Sequence, residues 1–239
     1  MTESRDPLLL RNDQAEHATG PVVVIDVLRA FTTAAYAFAA GAARIYLVSG
    51  VGEALALKAA LPGSLAMGED RGLRPEGFDL PNSPVAAAAA DLDGRTIVQR
   101  TSAGTQGVVA ARRADRLWCA SLVVASATVA VVQAAGGGAP AYVVTGDRPE
   151  RGMLGEDDRA TALYLEDVRL GRGPDPQATA HAIRTSDEAA RTLALGAGHV
   201  DPLDVEYALD VDRFGFAMEV SRDPLGLRLS RTDPGARAG

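Results

Sequence analysis

Pro21-Val22-Val23-Val24-Ile25-Asp26 decides the fold of this chain: an uninterrupted apolar run, mostly β-branched, that stops at a carboxylate. A run this short with no polar alternation reads as a strand buried on both faces. Outward from it, the same texture repeats. Residues 32–40 read as a helix closed by Gly41, and 44–48 as a second strand. Helices then alternate with strands: 52–61, 84–91, 105–113 and 123–135 against 64–67, 96–99, 116–120 and 141–145. This alternation predicts an α/β fold of three α/β/α layers, with a mostly parallel or mixed sheet.

Beyond Gly155 the pattern becomes helical, with segments expected at 156–170, 175–183, 186–195 and 201–209, and a strand at 214–220. A single domain is expected over 20–222. Residues 1–19 read as an N-terminal arm and 223–239 as a partly disordered tail. The uncharged stretch 117–146 is long enough to cross a bilayer, but Gly136-Gly137-Gly138 and Pro140 break it into strand, helix, turn and strand.

At 239 residues and 47% hydrophobic content the chain can bury a large core. A net charge of −7 without a basic stripe argues against nucleic-acid binding, and nothing suggests a membrane partner. Cys119 is the single cysteine, which excludes an internal disulfide and a cysteine-rich zinc site and fits a reducing cytoplasm. The acidic first residues do not read as a secretory signal. His17, His181 and His199 lack metal-ligand spacing. An acidic, alanine-rich α/β domain is also compatible with a homo-oligomer.

In open α/β sheets ligands gather at the carboxyl ends of strands. Three expected strands end in polar clusters: Asp26-Val27-Leu28-Arg29, Glu69-Asp70-Arg71, and Thr101-Ser102-Ala103-Gly104-Thr105 after Arg100. The second opens a long loop from Gly68 to Pro84 that also carries Asn82 and Ser83. Loops of that length usually serve function. A carboxylate near an arginine can address a metal and a phosphate together, and a hydroxyl-rich turn entering a helix can cradle an anion. Each cluster also has a plainer reading: Asp26 and Asn82-Ser83 as helix caps, Glu69 and Arg71 as an ion pair, Glu156-Asp157-Asp158 as acids at a helix start.

Taken together, residues 24–33, the loop 68–84, the turn 101–105, Gly155-Glu156-Asp157 and the segment 204–212 resemble the 2-phosphosulfolactate phosphatase family of coenzyme M biosynthesis, in family order. The resemblance implies a Mg²⁺-dependent phosphatase acting on a small phosphorylated anion, with 3-sulfolactate and phosphate as products. It implies Asp26, Arg29 and Glu69 as catalytic residues and Asp26, Glu69, Glu156 and Asp157 as metal ligands. Arg29, Arg71, Asn82, Thr101, Ser102, Gly104 and Thr105 would bind substrate. The chain departs from the family at Ala103, where many members have Asn, and at Asp70, where many have Arg.

Three rivals remain to be weighed. Haloacid-dehalogenase-type phosphatases require a second Asp where this chain has Leu28. An isochorismatase-like hydrolase would need Cys119 as nucleophile and Lys58, the only lysine, as partner. A non-catalytic anion binder of the same fold would keep the arginines but gains nothing from Asp26 and Glu69.

Overall fold

In the computed structural model, which describes residues 6–235, ten strands form one sheet. In chain order they include β1 (Leu8–Leu10), β2 (Pro21–Ile25), β3 (Arg44–Val48), β4 (Leu65–Gly68), β5 (Leu80–Pro81), β6 (Thr96–Arg100), β7 (Arg116–Ala120) and β8 (Ala141–Val144). A separate two-stranded ribbon follows, β9 (Asp147–Arg148) with β10 (Met153–Leu154). The hairpin β11 (Ala217–Asp223) and β12 (Gly226–Thr232) completes the main sheet, whose spatial order is β1-β8-β2-β7-β11-β12-β3-β6-β4-β5.

The helices are α1 (Ala30–Ala39), α2 (Val51–Ala60), α3 (Pro84–Ala89), α4 (Gly104–Ala110), α5 (Ala125–Ala135), α6 (Glu156–Arg169), α7 (Pro176–Arg184), α8 (Asp187–Ala194) and α9 (Asp204–Ala208). The expected α/β class and mostly parallel sheet are what the molecule has. β2 explains the layering. Val22 and Val24 enter a core shared with α1 and α4, whereas Val23 and Ile25 enter one shared with α5, α6 and α9. Alternate side chains of a strand point to opposite faces, so a continuous apolar run demands cover on both.

Two segments depart from expectation. The presumed tail after 222 supplies β12, which lies mid-sheet between β11 and β3 with Leu229 fully buried. Its alternation Leu227-Arg228-Leu229 was the available signal. The presumed arm supplies edge strand β1, paired with β8, and buries Ala15 and Ala18. Residues 1–5 and 236–239, part of those two expectations, lie outside the described residues.

The hairpin also reverses the sheet. β11 pairs antiparallel with β7, and β12 with β3, so the parallel sets β1-β8-β2-β7 and β3-β6-β4-β5 run in opposite senses. Curling nevertheless brings the ends of β2 and β6 together: a Cβ added to Gly104 would lie 2.7 Å from Asp26 Oδ2. No described helix is long and apolar enough to cross a membrane.

Candidate active site

The loop after β2 is held by the start of α6. Asp158 Oδ1 accepts from the Val27 amide at 2.8 Å, and Asp157 Oδ2 from the Leu28 amide at 3.2 Å. Asp158 Oδ2 accepts from the Gly146 amide at 2.8 Å. Gly155 permits this docking, since it adopts φ 58° and an added Cβ would meet Asp147 N at 2.5 Å. Asp26 Oδ1 accepts from the Ala30 amide at 2.8 Å at the start of α1. Its carboxyl is nevertheless pushed up to about 6, chiefly by burial and then by the charge of Glu69. Burial, with Glu188 and Asp26 nearby, pushes Asp157 up to about 7, and burial with Asp157 and Asp26 raises Asp158 well above the usual range.

Arg29 is almost fully buried; its Nη1 donates to Asp204 Oδ2 at 2.9 Å and to the His199 carbonyl at 3.0 Å. The other oxygen of Asp204 accepts from the Ser83 hydroxyl at 2.5 Å and the Val85 amide at 3.4 Å. One buried carboxylate therefore fixes both Arg29 and the segment carrying Asn82. The plain reading of Ser83 also holds, because its Oγ caps α3 through the Ala86 amide.

Glu69 fastens the long loop to the turn after β6. Its Oε1 accepts from the Ser102 amide, and its Oε2 from the Ser102 hydroxyl at 2.9 Å and the Gly72 amide at 2.6 Å. Ser102 Oγ also accepts from the Arg71 amide at 2.8 Å, so its hydroxyl is engaged as a structural link. Asp70 pairs with Arg100 at 2.8 Å. The hydroxyls of Thr101 and Thr105 are spent on each other's backbone, 2.9 to 3.0 Å apart.

These parts enclose a cavity of about 280 Å³. Of the expected residues, Asp26, Arg29, Glu69, Arg71, Asn82 and Ser102 line it. Thr101, Gly104 and Thr105 do not; they brace the turn behind it, and Gly104 gives Asp26 room. Glu156 is also elsewhere: it is exposed and accepts from the Asp187 amide at 3.0 Å. Asp157 lies behind the cavity, beneath Leu28.

Sequence reasoning missed Arg148, Arg151, Glu188 and Arg191, which complete the wall. Arg148 follows the end of β8, so the strand-end rule would have found it; Arg191, inside a helix, gave no signal. Asn82 and Arg148 line the cavity, and Asn82 Oδ1 and Arg148 Nε are buried without hydrogen-bond partners. Among the described residues no three His, Cys, Asp or Glu side chains form a metal-holding cluster by themselves.

Cys119 is fully buried in β7 opposite Met218, and burial raises its thiol well above the usual range. Lys58 is bound to Asp79 and to the Gly77 carbonyl, away from the cavity. The cysteine-hydrolase reading therefore has no site.

The chain is also similar to known proteins over most of its length. The chain is 31% identical over 211 residues, 87% of its own length and 91% of the relative's, to a probable 2-phosphosulfolactate phosphatase of Bacillus subtilis. It is 34% identical over 192 residues, 79% and 76% of the two chains, to one from Thermus thermophilus. One from Carboxydothermus hydrogenoformans shares 46% identity over 106 residues, 44% of each chain. The family profile described as 2-phosphosulpholactate phosphatase matches residues 9–218. With a profile spanning every strand and helix that builds the cavity, the chain belongs to the 2-phosphosulpholactate phosphatase family of phosphoric monoester hydrolases.

Proposed function

We propose that this enzyme hydrolyses 2-phospho-3-sulfolactate to 3-sulfolactate and phosphate with the help of Mg²⁺. The observation that carries the reading is the cavity itself, where Asp26 and Glu69 share about 280 Å³ with five arginines: Arg29, Arg71, Arg148, Arg151 and Arg191. A small ester carrying phosphate, carboxylate and sulfonate is a polyanion, and guanidinium forks neutralise such groups in defined geometry.

The donor set suits Mg²⁺, which takes hard oxygens and is commonly bound through one or two carboxylates plus substrate phosphate. Asp26 would hold it at the cavity, with Asp157 behind, whose Oδ1 is buried and unpartnered. Both carboxyls are pushed up by burial and by neighbouring acids, a debt of positive charge that a cation removes. Glu69, close enough for its charge to act on Asp26, would support it while anchoring the loop. When bound, Mg²⁺ would neutralise the phosphoryl oxygens as charge shifts during transfer.

Arg29 and Arg71 would hold phosphate oxygens, and Asn82 would orient the ester. A water oxygen bonds to phosphorus and gives up a proton, the ester P–O bond breaks, and the departing alkoxide takes up a proton in exchange.

Phosphate release from 2-phospho-3-sulfolactate, measured with Mg²⁺ and with a chelator beside Asp26→Asn, tests this. Expected are chelator-sensitive turnover and a loss on the order of a thousandfold in the variant. Turnover indifferent to chelation would refute the Mg²⁺ requirement. A folded protein that releases no phosphate would refute the substrate.

A further inference from the structure

We infer that Arg151 and Arg191, with Arg148 behind them, form a second anion subsite at the mouth of the cavity, reading an acidic group of the substrate other than its phosphate. The inference rests on the phosphatase reading and names the part of that cavity that would set specificity.

The five guanidinium groups sort by element. Arg29 and Arg71 follow β2 and β4, beside Asp26 and Glu69. Arg148 and Arg151 belong to the β9–β10 ribbon and its connecting turn, and Arg191 to α8. Ribbon and helix act as one unit, because Arg191 Nη2 donates to the Gly152 carbonyl at 3.0 Å. The charge of Arg148 acts on both Asp26 and Glu188, whereas Arg191 contacts Glu188 directly at 3.2 Å. Arg148 lines the same cavity as both of these carboxylates. Its Nε is buried without a partner, and it makes no ion pair among the described residues, so a ligand oxygen would satisfy it.

Arg151 and Arg191 stand at the opening, with 56% and 44% of their side chains exposed. Among the described residues Arg151 approaches no closer acid than Glu150 at 4.0 Å. One phosphate needs few guanidinium forks, and Arg29 and Arg71 already stand on the sheet side. Arg191 also has Asp187 at 3.9 Å, but of these neighbouring acids only Glu188 lines the cavity, beside the three arginines. Leu28, Met153 and Leu195 supply apolar wall for a carbon skeleton.

The test compares kcat/KM for three esters: 2-phospho-3-sulfolactate, 2-phospholactate, which lacks the sulfonate, and isopropyl phosphate, which also lacks the carboxylate. Arg151→Gln and Arg191→Gln are compared with the unsubstituted enzyme, and 3-sulfolactate binding is followed by calorimetry. Both side chains are half exposed, and thermal melts check folding. Preference for the acid-bearing esters over isopropyl phosphate should fall roughly ten- to hundredfold in each variant, the value of one charge-assisted hydrogen bond, with 3-sulfolactate binding weakened in step. Turnover with unchanged preference in both folded variants would overturn the subsite and leave the phosphatase reading standing. Arginine-dependent 3-sulfolactate binding without turnover of any ester would do the reverse. Neither turnover nor binding would overturn both.

Discussion

Replacing Gly104 by alanine should disable the site by pressing on Asp26. The added Cβ would lie 2.7 Å from Asp26 Oδ2, 3.1 Å from Asp26 Cβ and 2.8 Å from Ala30 Cβ, all inside the buried junction of β2 and α4. The backbone at Gly104 has no left-handed φ, so alanine adds only volume. Overpacking of this kind costs about 1–3 kcal/mol, and a domain of this size loses about 2–4 °C of Tm per kcal/mol. A displacement of Asp26 by even ~1 Å should lower kcat on the order of a hundredfold. Phosphate release and thermal melts of Gly104→Ala beside the unsubstituted enzyme would measure both. A variant with unchanged Tm and full turnover would show that contact with Gly104 does not set the position of Asp26.

Asp204→Asn should destabilise the enzyme by about 3 kcal/mol or more in chemical denaturation, because it leaves Arg29 charged and buried without its counter-ion; a cost below ~1 kcal/mol would refute that role. In the presence of chelator, stability should fall as pH rises from about 4 to 7. The unfolded chain ionises Asp26 near 3.8, while the folded state holds its proton to about 6, so ionisation above that range costs the folded state about 3 kcal/mol at most. Asp157, held to about 7, adds in the same direction. Mg²⁺ should therefore raise Tm more at pH 7.5 than at pH 5, and an equal shift at both would sink the argument.

Much was legible from local pattern. The β-branched run before Asp26 and its repeats along the chain dictate strands covered on both faces, because backbone period and apolar content are properties of neighbouring residues. The strand-end clusters pointed to Asp26, Arg29, Glu69, Arg71 and Ser102, and the long loop to Asn82, all of which line the cavity. The same reasoning placed Thr101, Gly104 and Thr105 at the ligand, since hydroxyls spent on a turn look in sequence like hydroxyls offered to an anion; the hydrogen bonds that use them close only on folding.

Tertiary structure alone decided the rest. Whether Leu227-Arg228-Leu229 was tail or mid-sheet strand depended on the vacancy between β11 and β3, a pairing more than a hundred residues apart in sequence. That Asp204 would hold Arg29, and that Arg148 and Arg191 would share a cavity with Asp26, followed from curling of the sheet and docking of α8. Charge and hydrogen-bonding capacity are written in each residue, but which charges meet is set by burial, where removing water makes a partner obligatory.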